Sequence, residues 1–255
     1  MLNKKVLIAL LIFSTGSLLS SCSEKEDSMP GVGNSKMEVY ATSSQESTKG
    51  TNSRMASNGF STSEFTVSTT DLQFYYATKA DLKTGISLGN INLKTNLNSS
   101  LYTSGSQSKS IELIENGDEK FVLMAEGETP EGIYSQAEFK LKKNTSISNS
   151  DERYNKSFWL QGEVNGAMTI IWSDTEKTIQ STSDSDNGIE VENKSEIVLD
   201  FDLEKLFSEV DLSLAIDGNL DGTIEIGPGG IDGNTLIYSK IMNNLDGSVI
   251  MKNRN

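Results

Sequence analysis

Ser157-Phe158-Trp159-Leu160-Gln161-Gly162-Glu163-Val164, then Asn165-Gly166, then Ala167-Met168-Thr169-Ile170-Ile171-Trp172 is the stretch that decides the fold class. Two apolar-rich runs flank an Asn-Gly pair. A two-residue hairpin loop needs positive φ at both central residues, and Asn and Gly accept it with little strain. The stretch therefore predicts a hairpin with strands over 157–164 and 167–172. Side chains alternate faces along a strand, so Phe158 and Leu160 share one face while Trp159 and Gln161 share the other.

Working outward, the same grammar repeats. Asn116-Gly117 joins two further apolar runs, 110–114 and 120–124. Strand patterns also cover 36–42, 64–77, 86–93, 132–141, 196–203, 211–216, 223–226 and 248–251, bounded by turn-forming residues. Helical signals are few. Residues 203–208 suit one turn, and Asn234 stands before Leu236, Ile237, Lys240, Ile241 and Leu245, which share a helical face. The polar stretches 43–59 and 173–194 read as long loops. Many short strands at this spacing with few helices indicate a β-sandwich or barrel.

The front of the chain has a different character. Lys4 and Lys5 precede a continuous apolar run over 6–13, and Leu19-Ser20-Ser21-Cys22 closes it. The layout is that of a secretory signal peptide. The apolar run is shorter than the roughly 20 residues a membrane-spanning helix needs. The closing tetrapeptide resembles the lipobox of bacterial lipoproteins. That resemblance implies removal of residues 1–21, acyl chains on Cys22, and attachment to the membrane through that lipid. Two or more chains make such anchoring stable. Lys25-Glu26-Asp27 resembles the surface-export signal of lipoproteins in the Bacteroidota, which implies an outer-membrane protein facing the cell exterior. Residues 22–35 form a polar tether, and 36–255 remain for a single domain.

Composition narrows the function. The chain has 255 residues, 22 Lys and Arg, 36 Asp and Glu, no His and one Cys. Loss of residues 1–21 would leave 20 basic against 36 acidic side chains, a net charge of −16. An anionic surface opposes nucleic acid and anionic membranes. With Cys22 the sole cysteine, no intramolecular disulfide can form, and a hydrophobic core must supply the stability. The absence of His excludes Ser-His-Asp and Cys-His nucleophiles and His-based zinc sites. No phosphate-cradling Gly-rich Lys-Ser/Thr loop is present. A carboxylate pair or a Ser-Lys dyad remains open to such a chain, and a hydrolase using two carboxylates is a third reading. No catalytic residue is assigned, however, and the protein reads as a non-enzyme.

Three further features bear on binding. Trp159 and Trp172, the only tryptophans, flank the one hairpin. They either fill a core, as strand tryptophans commonly do, or form an exposed pair that stacks on sugar rings. Tyr75 and Tyr76 fall on opposite faces of one strand, so one of them is a second candidate for exposure. Asp217-Gly218-Asn219-Leu220-Asp221-Gly222 starts like a calcium loop, with Asp217, Asn219 and Asp221 at alternate positions and Glu225 as a ninth-position donor. Its twelfth position is Pro228 rather than an acid, and a β-turn accounts for the same residues. No cofactor is required, and calcium is the one metal considered, here or at Asp184, Asp186 and Glu190.

Four segments resemble an uncharacterised domain family found in bacterial lipoproteins. Met37-Glu38-Val39-Tyr40-Ala41-Thr42 resembles its opening strand. Ser110-Ile111-Glu112-Leu113-Ile114-Glu115-Asn116-Gly117 resembles its central segment. Pro130-Glu131-Gly132-Ile133-Tyr134-Ser135-Gln136 resembles a later strand start, and Val198-Leu199-Asp200-Phe201-Asp202 its late strand. Where the family's opening strand ends in Asp-Ala-Pro, Thr42-Ser43-Ser44 stands here. The resemblance implies an all-β, antiparallel sandwich, prealbumin-like or jelly-roll-like, with one or two short helices and no assigned activity. The functional expectation is a surface module that binds glycan or protein. The alternative is a fimbrillin-like subunit or accessory protein of a surface filament, in which a cut near Arg54 would release the first strand.

Overall fold

Strands dominate the computed structural model, which describes residues 33–44, 56–57, 59–78 and 109–254. These residues all belong to one compact unit, Gly31–Asn255. In chain order the strands are β1 Asn34–Ser44, β2 Ala56–Ser57, β3 Phe60–Thr78, β4 Lys109–Glu115, β5 Asp118–Glu119, β6 Val122–Pro130 and β7 Gly132–Leu141. They continue with β8 Phe158–Val164, β9 Ala167–Ser173, β10 Lys177–Ser183, β11 Ile189–Val191, β12 Lys194–Asp202, β13 Ile224–Ile226 and β14 Val249–Asn253. Two α-helices are present among the described residues, α1 Leu203–Leu206 and α2 Thr235–Asn244.

Both Asn-Gly pairs form the tight turns their sequence demands. Asn165 and Gly166 have φ of 52° and 83°, and Asn116 and Gly117 have 53° and 83°. β8 and β9 pair in the register this turn sets, from Val164 opposite Ala167 to Phe158 opposite Ser173.

The strands follow the path β13-β9-β8-β3-β7-β10-β14-β12-β1-β6. β3 is the pivot. Its first half pairs with β8, Phe60 opposite Val164 to Val67 opposite Phe158. Its second half pairs with β7, Thr69 opposite Leu141 to Thr78 opposite Gly132. Between them, Ser68 donates its N–H to the Ser157 carbonyl and its carbonyl accepts the Lys142 N–H, each at 2.9 Å. Both groups of one strand residue point to the same edge, so β8 and β7 succeed one another along one edge of β3. β4 pairs with Phe65 to Thr69 and takes the opposite edge.

The sheet is mixed, not antiparallel throughout. β1 runs parallel to β12, β10 to β14 and β13 to β9. Hydrophobic alternation specifies which face a residue takes but not the direction of its neighbour, which is why the antiparallel expectation failed at these three pairs.

Other differences have local causes. Residues 173–194, expected as a long loop, contain β10 and β11. β10 carries only one aliphatic residue, Ile179, pointing inward among Thr, Gln and Ser, so its alternation is polar and easily missed. Residues 211–216 form a 3-10 turn over Leu212–Leu214 because the Asp211 carboxylate accepts the Ser213 N–H and turns the chain. Asn234 precedes α2 without capping it. Its side chain accepts the Ile216 N–H and donates to the Ile216 and Glu225 carbonyls. Leu236, expected on the buried face of α2, is exposed, whereas Ile241 and Leu245 are buried. The strand expected over 86–93 lies outside the described residues.

Aromatic rings tie β3, β7, β8 and β12 together. Phe65 of β3 packs edge-on against Phe158 of β8 at 5.3 Å and against Phe201 of β12 at 5.9 Å. Phe201 also meets Phe139 of β7 at 5.8 Å. Phe201 therefore touches the β3 pivot and one of its partners, β7. We expect Phe201→Ala to lower the unfolding free energy by about 3–5 kcal/mol. Phe121→Ala, at an exposed ring, should stay within about 0.5 kcal/mol. Urea denaturation followed by tryptophan fluorescence measures both.

Candidate binding site

A polar groove of about 700 Å³ lies along β10 and β14. Its floor comes from the alternation of β10. Ile179 and Ser181 turn inward, and Thr178, Gln180 and Thr182 turn out to line the groove. Asp184 and Lys205 contribute to its walls, with Asp246 from the turn before β14. Lys177 pairs with Asp246 at 2.9 Å. The Asp184 N–H is held by the Met251 carbonyl at 3.0 Å, which fixes the end of the groove to β14. Hydroxyl, amide, carboxylate and ammonium groups on paired strands provide fixed hydrogen-bond donors and acceptors. With Val249 and Ile250 beside these groups the lining is mixed, polar and apolar, and suits an amphipathic ligand such as a glycan or a peptide. Sequence reasoning missed this site because it treated β10 as loop.

The tryptophan pair is arranged differently from the open sugar platform. Trp159 and Trp172 stand opposite each other on β8 and β9. Period-two reasoning placed Trp159 away from Phe158 and Leu160, and those two join the main core cluster while Trp159 does not. Yet Trp159 is only 5% exposed, and its indole N–H has no hydrogen-bond partner. Lys156 Nζ lies 3.0 Å from the Trp172 ring centroid. A Cβ on Gly227 would come within 2.7 Å of the same ring, so the close approach there requires glycine. The segment between β7 and β8 accounts for the cover. Arg153 reaches Glu112 of β4 at 3.2 Å, and Lys156 takes the ring face a sugar would need. Tyr76 is buried and stacks on Tyr134 at 4.7 Å, while Tyr75 on the other face is half-exposed.

The charges over this face are perturbed by burial. Desolvation lowers the Lys156 pKa, opposed by Asp174 and Glu225. Desolvation raises that of Glu225, reinforced by Asp232 and Asp221. Asp151 is held down at about 2 by hydrogen bonds from the Arg153 side chain and backbone.

The acidic turn uses its oxygens on its own backbone. Asp217 Oδ1 accepts the N–H groups of Leu220 at 2.7 Å and Asp221 at 3.2 Å, and Oδ2 that of Gly222 at 2.9 Å. Asn219 Oδ1 accepts the Asp221 N–H, and Asp221 Oδ1 the Thr223 N–H. Asp232 reaches in from the following loop to accept from Asn219 and Glu225. Among the described residues no three acidic, His or Cys side chains converge as a metal-binding group. Asp184 and Asp186 lie between β10 and β11, and Glu190 lies in β11. Cys22, Lys25, Glu26, Asp27 and Arg54 lie outside the described residues. No protein-family model, curated protein or solved structure matches the chain.

Two outcomes follow from the geometry. Lys156→Ala removes the cover from Trp172, so its emission should shift to the red and its quenching by acrylamide should rise. Glu225 has a raised folded pKa, so its stabilising contribution is complete below the ordinary carboxylate range and is lost as pH rises through the raised value. We expect Glu225→Gln to raise Tm at pH 7 and leave it unchanged at pH 3, as measured by calorimetry at both values.

Proposed function

We propose that this chain is a lipid-anchored β-sandwich module on the outer face of the outer membrane, where it binds glycan or protein. The observation that carries the binding assignment is the polar groove along β10 and β14, set in a rigid sheet. The sandwich assignment is supported by the Phe65–Phe201 and Phe139–Phe201 contacts, which join β12 to β3 and β7, strands it does not pair with. The anchor rests on Cys22 after its apolar leader, and the surface orientation on Lys25-Glu26-Asp27. A non-enzymatic role fits a chain without histidine.

A second reading, a subunit of a surface filament, draws on one specific feature. β1 is an interior strand. It pairs with β12 over 36–44 and with β6 over 34–41, and Met37, Val39 and Ala41 are fully buried. A cut at Arg54 that released β1 would bare both ladders and a row of apolar pockets for another strand.

The two readings separate in one experiment on protein carrying Cys22→Ser and purified without lipid. On an immobilised glycan panel, the binding module should be retained by a defined subset. Gln180→Ala with Asp184→Ala should weaken that retention at least tenfold. A panel-wide blank, with polymers appearing only after limited trypsin cleavage at Arg54, would instead establish the filament reading. On intact cells, the native protein should be removed by external protease, and resistance to that treatment would contradict the surface orientation.

A further inference from the structure

Leu220 combines two unfavourable features. Its side chain is 86% exposed, and its backbone sits at φ of 63°. The left-handed region is disfavoured for any residue with a Cβ, and Asn or Gly is its usual occupant. Burial elsewhere in the molecule offsets neither feature. Backbone strain of this kind is an observation from which a functional hypothesis is drawn.

Leu220 is not isolated. Leu214 is 69% exposed, Ile216 56% and Leu236 82%. All four occupy the stretch between α1 and the first turn of α2. Single exposed aliphatics are ordinary, whereas these four fall within one hydrogen-bonded stretch of chain, Leu214 to Leu236. The unit is also fixed in place. Asp217 holds three amides of the turn, Asp232 ties the turn to the following loop, and Asn234 clamps Ile216 to Glu225. Asn234 and Asp232 also occupy the backbone groups of Glu225, the middle residue of β13, so this end of the sheet offers side chains rather than a strand edge. A surface ordered before contact loses little conformational freedom on binding.

Charge identifies the partner. From Leu206 to Ser239 the chain holds six acidic residues and no Lys or Arg. Glu209, Asp211, Asp217 and Asp221 lie in the same stretch as the exposed aliphatics and make it net negative, with Lys205 and Lys240 at its two ends and Lys240 Nζ on the Glu209 carbonyl. That charge repels anionic lipid and repels the same surface on a second copy. It attracts a cationic segment, and interfaces pair complementary potentials around apolar anchors. We infer that this loop–helix unit is a docking surface for a basic, aliphatic protein segment, with Leu220 and Leu236 as its anchors. The inference is independent of the β10 groove.

The test uses the lipid-free chain, Cys22→Ser, and two fluorescein-labelled synthetic peptides of equal hydrophobicity, one built of Lys and Leu and one of Glu and Leu. Fluorescence anisotropy should show the Lys-Leu peptide binding and the Glu-Leu peptide not binding. Leu220→Asn with Leu236→Ser leaves the charge unchanged and should weaken binding of the Lys-Leu peptide at least tenfold. Asn suits the left-handed backbone, so Leu220→Asn alone should raise Tm while weakening the complex, which separates lost contact from lost folding. Equal binding by the double variant would reduce the effect to general electrostatics and overturn the proposal. Partitioning of the unmodified surface onto phosphatidylcholine vesicles, abolished in the double variant, would replace the protein partner with lipid. A concentration-dependent dimer in sedimentation, abolished in the same variant, would replace it with a second copy.

Discussion

The described fold depends on β3 keeping two partners in succession along one edge. At Ser68 the carbonyl and N–H serve β7 and β8 respectively, so the strand cannot shift by one residue without disturbing both. A one-residue slip would also reverse every side chain between core and surface. Register irregularities at Thr70 to Gln73 and Tyr75 to Tyr76 let the strand bend after the changeover. Asp71, at φ of 55°, takes up the extra residue there. Phe65, just before the changeover, closes on Phe201 of β12, a strand that β3 does not pair with.

That closure determines which surfaces are left for recognition. β10 places its sparse apolar content inward and its hydroxyls and amide outward, so a polar groove forms without weakening the core. β8 and β9 have apolar residues on both faces. Their outer face would expose two indoles, and the segment after β7 folds over it instead. A cation held over an aromatic ring in a half-exposed site contributes about 1 kcal/mol. The arrangement is therefore a stable cover, and a ligand would have to displace Lys156 before it could reach Trp172.

Much of this was legible in the sequence, and the failures have physical reasons. Asn-Gly turns and period-two alternation located β7, β8 and β9 nearly to the residue, because those signals come from local backbone sterics. The face of Trp159 was also legible. Its burial was not, since the covering segment carries Asp151, Arg153 and Lys156 and no apolar pattern to mark it. β10 escaped notice because Ile179 is its only strong hydrophobe. The parallel placement of β1 beside β12 depends on contacts more than 150 residues apart (Ser44 Oγ on Asp200 Oδ2, for example), which no local pattern encodes. The acidic turn was legible as a turn, yet its alternation of Asp, Asn and Asp equally suits amide capture and cation ligation. The N–H groups of Leu220, Asp221 and Gly222 show the first use in this structure.

The interior position of β1 gives the tether a mechanical meaning on the lipid-anchored reading. A terminal strand at a sheet edge can be peeled, one pair at a time, from a single neighbour. β1 instead has β12 on one side and β6 on the other. Pulled along its own axis, it must break pairs in both ladders together and draw Met37, Val39 and Ala41 out of the core. Ser43 Oγ on the Phe201 carbonyl and Ser44 Oγ on Asp200 hold its far end to β12 at 2.8 Å each. Asp200 also pairs with Lys252 of β14, so the pull reaches a third strand. The same construction makes the strand a strong plug when intact and leaves a deep vacancy when cut. The two proposed roles, anchored module and filament subunit, therefore draw on one feature, the interior position of β1.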